Sequence, residues 1–279
     1  MMLYITWTID PICFNLFGLE IRWYGVLFAV GYLISYEIVK RIFKRDGAPG
    51  YWLDKLVIYT LTATLIGARL GHCFFYDPVY YISHPIEILY VWNGGLSSHG
   101  GLVGAVLGIM LFARKYTKIS PLWSFDRFIV SVALIGAFLR IGNLMNHEIY
   151  GLPTALPFAF KFITNLDSWH AGEAPIFTLP CHPTAIYEAV SYFFIAFLLL
   201  IIYYKTNASN RPGMIMGVFL IAVFSIRFLI EFIKVNQVPF EDQMILNMGQ
   251  ILSIPCIVIG LYLFIRSCVK PPVVWTFPK

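Results

Sequence analysis

Arginine, histidine and glutamate stand inside stretches that are otherwise apolar enough to lie in a membrane. Arg69 sits in "LIGARLGHC", Arg140 in "IGAFLRIGNLMNHEIYG", Arg227 and Glu231 in "SIRFLIEFIK", and His99 in "LSSHGGLVGAVLG". An ionisable residue within a span is costly and marks a functional position by default. Arginine keeps its charge when buried and grips phosphate with a planar fork. Several arginines among apolar helices therefore suit an anion, and at that depth the anion is a phospholipid headgroup entering sideways.

Each group also has a plainer reading. Arg69 alone could snorkel to the interface. Arg227 and Glu231, four apart on a helix, could simply neutralise each other. A lone histidine such as His99 is more often a hydrogen-bonded core residue, but this one is flanked by Ser97, Ser98, Gly100 and Gly101. Arg140 precedes Gly142, Asn143, Asn146, His147 and Glu148, too much polarity for a lipid-facing helix end. Gly100, Gly104 and Gly108 recur every four residues, a face that lets helices approach closely and that leaves room for an acyl chain.

The elements that must carry these groups are transmembrane helices. Of the 279 residues 59% are hydrophobic and 13% charged, about half the charge of a soluble domain. Seven segments approach the roughly 20 apolar residues of a span: 24–40, 56–76, 94–113, 127–146, 184–204, 213–233 and 248–266. The expected fold is thus all-α, a single membrane domain over 1–279 built as a bundle of seven transmembrane helices. One set of loops carries Lys40, Arg41, Lys44 and Arg45, then Arg114, Lys115 and Lys118, then Lys205 and Arg211, then Arg266 and Lys270. The other set carries only Arg22, Lys161 and Lys234. The basic set belongs in the cytoplasm, which places the N-terminus outside and the C-terminus inside. Segment 147–183, rich in Pro, Phe and Gly, reads as a small cap on the outer side. In this frame Arg69, His99, Arg140 and Arg227 all lie roughly 8–10 Å below the outer boundary at helical rise, with Glu231 one turn beyond Arg227 toward that boundary. Four spans placing polar groups at one depth predict a single chamber in the outer half.

Several classes are excluded. The net charge of +5 comes without a basic stripe interleaved with aromatics, so nucleic acid is not a partner. The five cysteines show no zinc spacing and no disulfide framework; a bridge between Cys13 and Cys181 is a minor possibility. "HEIYG" is not a zinc-protease motif, and no GxSxG or phosphate-loop motif occurs. The N-terminus has no basic n-region or small-residue cleavage site, so no removable signal peptide is expected. "CHPTAIYE" reads as a helix start with proline near the first turn. Tyr24 in "IRWYG" reads as an interfacial tyrosine.

"RWYG", "GARLG", "HGGLVG", "RIGNLMNHEIYG", "HPTAIYE", "RFLIEF" and "MGQILSIP" occur in this order. Together they resemble the bacterial phosphatidylglycerol–prolipoprotein diacylglyceryl transferase family, over about 23–255. The resemblance implies transfer of the diacylglyceryl unit of phosphatidylglycerol to the thiol of a prolipoprotein's lipobox cysteine, at the outer leaflet of the bacterial cytoplasmic (inner) membrane. A thioether forms and glycerol 1-phosphate leaves. It further implies that His99, Arg140 and Arg227 are catalytic, and that Arg140, Asn143, Tyr24, Gly151 and Glu231 bind substrate; Arg69, at the depth of the chamber, is expected to bind it with them. In this reading His99 takes the thiol proton, and Arg140 and Arg227 stabilise the departing phosphate. Asn143 and Glu231 orient the arginines, and Tyr24 closes the headgroup pocket. No metal or other cofactor is called for, because the arginines supply the positive charge. The chain departs from the family pattern at Val223, where a tyrosine is frequent, and at Lys234, where arginine is frequent. It departs again at His147 and Tyr150, where glycine and tryptophan are frequent. The rivals are a lipid transporter, which needs a path to both leaflets, and an intramembrane protease, for which no nucleophile is apparent.

Overall fold

Apolar runs separated by Gly, Pro and charged residues fold as helices because each helix satisfies its own backbone hydrogen bonds. In a computed structural model, which describes residues 4–235, 241 and 244–277, each predicted span overlaps a helix. The helices are α1 (Trp23–Asp46), α2 (Tyr51–Phe75), α3 (Pro78–Ser83), α4 (Ser98–Phe112), α5 (Pro121–Met145), α6 (Leu166–His170), α7 (Thr184–Lys205), α8 (Met214–Ile230) and α9 (Met248–Val269). Five are long and apolar enough to cross a membrane: α2, α5, α7, α8 with its following turn to Ile233, and α9. The chain is therefore helical, of integral-membrane type. Four short strands, β1 (Tyr4–Thr6), β2 (Ile12–Leu16), β3 (Leu19–Arg22) and β4 (Ala159–Lys161), form two two-stranded pairs, β1 with β4 in parallel and β2 with β3 antiparallel.

The remaining two predicted spans differ from the expectation. α1 is 24 residues long but ends in Lys44 and Arg45, with Glu37, Lys40 and Arg41 just before. α4 has only 15 residues and starts at Ser98, four later than expected. Gly94 (φ 83°) and Gly95 (φ 69°) take left-handed conformations that no helix continues through. Ser97 then caps the helix, its side chain accepting from the Gly100 N–H at 3.3 Å.

The chain packs as two compact units. One comprises Met1–Ile38 and Phe128–Pro272, the other Val39–Arg127 and Val273–Lys279. In the second, α2 and α4 meet through glycines. A Cβ on Gly100 would strike the carbonyl of Gly67, and one on Gly108 would lie 2.6 Å from the carbonyl of Tyr59. The four-residue glycine repeat is thus a packing face. Below it Trp52, Phe112 and Trp123 form an aromatic core, with Trp52 edge-on to Trp123 at 5.9 Å. In the first unit, α7, α8 and α9 pack in sequence. Segment 147–183, between α5 and α7, contains β4 and α6 and packs Phe160, Phe162 and Cys181 against Leu144 of α5 and Ala185 of α7. Cys13 and Cys181 are both free thiols, and the Cys181 thiol donates to the Phe160 carbonyl at 3.3 Å.

Candidate active site

Arg140 and Asn143, three residues apart near the end of α5, share a face. Arg140 Nη1 donates to Asn143 Oδ1 at 3.1 Å, and Arg140 Nε lies 2.8 Å from Glu188 Oε2. Among the described residues that oxygen has this ion pair but no directed hydrogen bond. Glu188, one turn into α7, is fully buried, and its Oε1 accepts from Lys234 Nζ at 3.1 Å. The same ammonium donates to Glu231 Oε1 at 3.3 Å. Glu231 Oε1 stands 3.8 Å from Arg227 Nε, one turn back toward α8. The result is a chain, Arg140–Glu188–Lys234–Glu231–Arg227, in which cations and carboxylates alternate.

Alternation lets like charges share a buried space, since each carboxylate is flanked by two cations. Side-chain exposure runs 17%, 0%, 2%, 9% and 36% along the chain from Arg140 to Arg227. The middle is sealed and the two arginine ends are open, so the guanidinium groups are what a ligand can reach. Neighbours hold the members in place. Asn247 Nδ2 donates to Glu231 Oε2 at 3.2 Å, and Gly249 leaves the carboxylate room, since a Cβ there would fall 2.6 Å from Glu231 Oε1. Asn143 Nδ2 donates to Glu148 Oε1 at 2.9 Å, and Asn146 Nδ2 to the same oxygen at 3.1 Å. Tyr24, at the start of α1, lies against Gly142, whose Cβ would be 2.8 Å from the ring.

The turn after α5 is strained. His147 (φ 55°) and Ile149 (φ 58°) both sit in the left-handed region, unusual for any side chain and most of all for a β-branched one. The buried His147 ring compensates. Its Nδ1 accepts from the Ile163 N–H at 3.0 Å, so the other nitrogen carries the proton and donates to the Ile9 carbonyl at 2.9 Å. Burial lowers the His147 pKa and outweighs the hydrogen bond to Ile9 and the charge of Asp10, which pull it upward. Gly151 offers no side chain to a ligand. It brings backbones together: its N–H donates to the His182 carbonyl at 2.8 Å, and a Cβ would strike the Ile233 carbonyl. Its partner across that bridge is Lys234, the centre of the ion-pair chain.

His99 and Arg69 belong to the other unit, on α4 and α2. His99 is exposed in the first turn of α4, at one end of an apolar groove of about 920 Å³ between these helices. Ile66, Leu70 and Phe74 line one side, Val103 and Leu107 the other, and the packed glycines form the floor. Arg69 is buried, and its donors go to backbone carbonyls: Nε to Ile88 at 2.9 Å, Nη1 to Gly94 at 2.8 Å and Gly95 at 3.2 Å, and Nη2 to Glu87. Its guanidinium also lies 5.0 Å from the Tyr81 ring centre. In this arrangement Arg69 fixes the glycine turn that leads into His99.

The family model for prolipoprotein diacylglyceryl transferase matches residues 11–266. Proteins named phosphatidylglycerol–prolipoprotein diacylglyceryl transferase are similar along nearly the whole chain. The one from Porphyromonas gingivalis is 44% identical over 274 residues, covering 96% of this chain and 96% of its own. That from Tolumonas auensis is 42% identical over 261 residues, with 94% and 96% coverage. That from Chloroherpeton thalassium is 39% identical over 264 residues, with 95% and 94% coverage. The chain belongs to the prolipoprotein diacylglyceryl transferase family.

The motifs that carried the resemblance to the diacylglyceryl transferases now have physical roles. "HPTAIYE" starts α7 at Thr184, right after Pro183, as expected, and its last residue is the buried Glu188. "MGQILSIP" opens α9 through a capping box between Asn247 and Gln250 and supplies Gly249 beneath Glu231. Two members of the ion-pair chain escaped the sequence reading. Glu188 is an acid five positions inside the predicted span 184–204, a signal of the same kind as Arg140. Lys234 lies one residue past the span 213–233 and stood in the sequence only as an outer-loop cation that replaces a frequent arginine.

Proposed function

We propose that this protein is an enzyme that transfers the diacylglyceryl group of phosphatidylglycerol to the thiol of a prolipoprotein's lipobox cysteine. The observation that carries the reading is the ion-pair chain whose buried middle fixes two reachable arginines, Arg140 and Arg227. The protein is placed as a seven-span bundle in the bacterial cytoplasmic (inner) membrane, N-terminus outside, with 147–183 as the outer cap and the site facing the outer leaflet. The arrangement of Lys and Arg supports that placement.

The reaction is a displacement at carbon. The cysteine sulfur attacks the glyceryl carbon that bears the phosphate ester; the C–S bond forms as the C–O bond breaks. The electron pair leaves on the bridging oxygen of glycerol 1-phosphate. Arg140 and Arg227 face that phosphate and stabilise the charge as it grows, with no reorganisation needed because the carboxylates already hold them. Asn143 orients Arg140, Glu231 orients Arg227, and Tyr24 bounds the headgroup side. The thiol must first lose its proton, because the thiolate is the nucleophile. His99 takes that role: it is exposed, and it sits in the first turn of α4 at one end of the apolar groove, where an incoming thiol can reach its ring. Gly151 and Arg69 act through backbone, the first by seating Lys234 and the second by shaping the turn before His99.

Purified protein incubated with phosphatidylglycerol and a lipobox peptide should add a diacylglyceryl mass to the peptide, and a Cys→Ser peptide should gain none. A lipid transporter would move phosphatidylglycerol between leaflets and leave the peptide unmodified, and that outcome would overturn the proposal.

A further inference from the structure

The end of α4 opposite His99 holds a second cavity, of about 580 Å³, which the proposed reaction does not use. Its wall is Leu107, Met110 and Leu111; Arg114 and Lys118 stand at its rim, and Pro121 at the start of α5 closes it. We propose that it binds an anionic phospholipid, with the phosphate against Arg114 and Lys118 and an acyl chain along the leucines. In the orientation argued above, this lipid lies in the cytoplasmic leaflet.

Three observations support this. First, Arg114 and Lys118 are exposed and have no acidic partner among the described residues, whereas the intervening Lys115 is held over the rings of Tyr59 and Tyr116 at 5.8 and 5.6 Å. Second, the backbone is specially built there. α4 runs into a widened turn over Ala113–Thr117, closed by the Lys118 N–H donating to the Ala113 carbonyl at 2.8 Å. Lys118 itself is left-handed (φ 54°), uncommon for a residue with a side chain. Third, polarity is divided as in an amphiphile. Two cations mark one end, and the apolar wall continues away from them, since Leu107 and Leu111 also line the larger groove. A preference for basic residues on the cytoplasmic side explains the sign of the charges but not a cavity with an apolar wall. Basic pockets between helices on that side suit anionic headgroups.

The test is native mass spectrometry of the full chain in detergent, titrated with phosphatidylserine and with phosphatidylcholine of the same acyl chains. Phosphatidylserine is not the donor of the proposed reaction. Two cations at the membrane surface should favour it over phosphatidylcholine by roughly thirtyfold. The double variant Arg114→Gln/Lys118→Gln should reduce that preference to about twofold. The swap Arg114→Lys/Lys118→Arg and the distant control Lys205→Gln should both keep it. Equal binding of the two lipids by the unaltered protein would overturn the proposal, as would a preference that survives the double glutamine variant. So would glycerol phosphate binding as tightly as the lipid, since the site would then serve a soluble anion. Transfer to a lipobox peptide should be unchanged in the double variant. Absence of transfer in the unaltered protein would sink the proposed reaction and leave the lipid preference standing.

Discussion

Lys234 is the residue whose loss should reveal most about the site. Its ammonium lies 3.1 Å from Glu188 and 3.3 Å from Glu231, with the side chain 2% exposed. Lys234→Met keeps most of the volume and removes the charge. Glu188, fully buried, would then rely on Arg140 alone, and Glu231 on a 3.8 Å contact to Arg227 and on Asn247. Stripping one partner from a buried ion pair costs about 3–5 kcal/mol, mostly the penalty of the stranded charge. For a chain of this size that lowers the melting temperature by about 10 °C or more. The arginines should also shift toward the stranded carboxylates, and a displacement of about 1 Å at a catalytic group can cost on the order of a hundredfold in rate. The assay pairs thermal unfolding in detergent with steady-state transfer to a lipobox peptide. Lys234→Arg should retain most of both, because it keeps the charge between the carboxylates. The double variant Glu188→Gln/Lys234→Met removes opposite charges together, so it should regain much of the stability lost by Lys234→Met. It should not regain kcat, because Arg140 would have lost its anchor. A Lys234→Met protein with native melting temperature and native kcat would refute the view that this ammonium holds the two arginines in register.

Other outcomes follow from single contacts. Arg140→Lys should lose nearly all transfer while remaining folded, since a point charge replaces the fork that meets Asn143 and, in the proposed reaction, the phosphate; near-native kcat would count against bidentate recognition. His99→Ala should abolish transfer without shifting the melting temperature, because the ring is exposed and Ser97 caps the helix without it; activity measured across pH tells a base from a packing residue. Gly104→Ala should cost about 2 kcal/mol or more, because its Cβ would strike the Ala63 carbonyl, whereas Gly50→Ala, with open space around it, should be close to neutral in the same melt. The His147 pKa is lowered in the folded protein, so its contribution to stability is full above the unfolded value of about 6.5 and is lost as pH falls below it. His147→Gly should therefore flatten the fall in melting temperature between pH 8 and pH 5, and an unchanged slope would show that the ring does not couple to folding.

What could be read from the sequence divides along a physical line. Helix positions were legible because an apolar run in a membrane has few alternatives, and Pro183 stands just before the helix it is expected to start, whereas the apolar run places the start of α4 four residues too early. The glycine repeat of α4 was legible as a packing face because a missing side chain has one main use between helices. The anion chamber was only half legible. Depth along a helix can be counted from the sequence, so Arg140 and Arg227 could be placed at one level, with Glu231 a turn beyond. Partnership cannot be counted: it depends on rotation about each helix axis and on which helices are neighbours. Arg69 and Arg140 therefore look alike in the sequence, each an arginine in the outer half of a span. In the structure four backbone carbonyls surround one and a buried carboxylate holds the other. The same blindness hid Lys234, which lies at a helix end where lysines are commonplace. Its significance comes from Gly151, more than eighty residues away, which lets two backbones close over it. The glycine, with no side chain to offer, and the lysine, with no fork, were each read in the sequence for what they could give a ligand. Together they seat one ammonium between the two carboxylates that hold Arg140 and Arg227, and in the proposed reaction the spacing of the arginines rests on that contact.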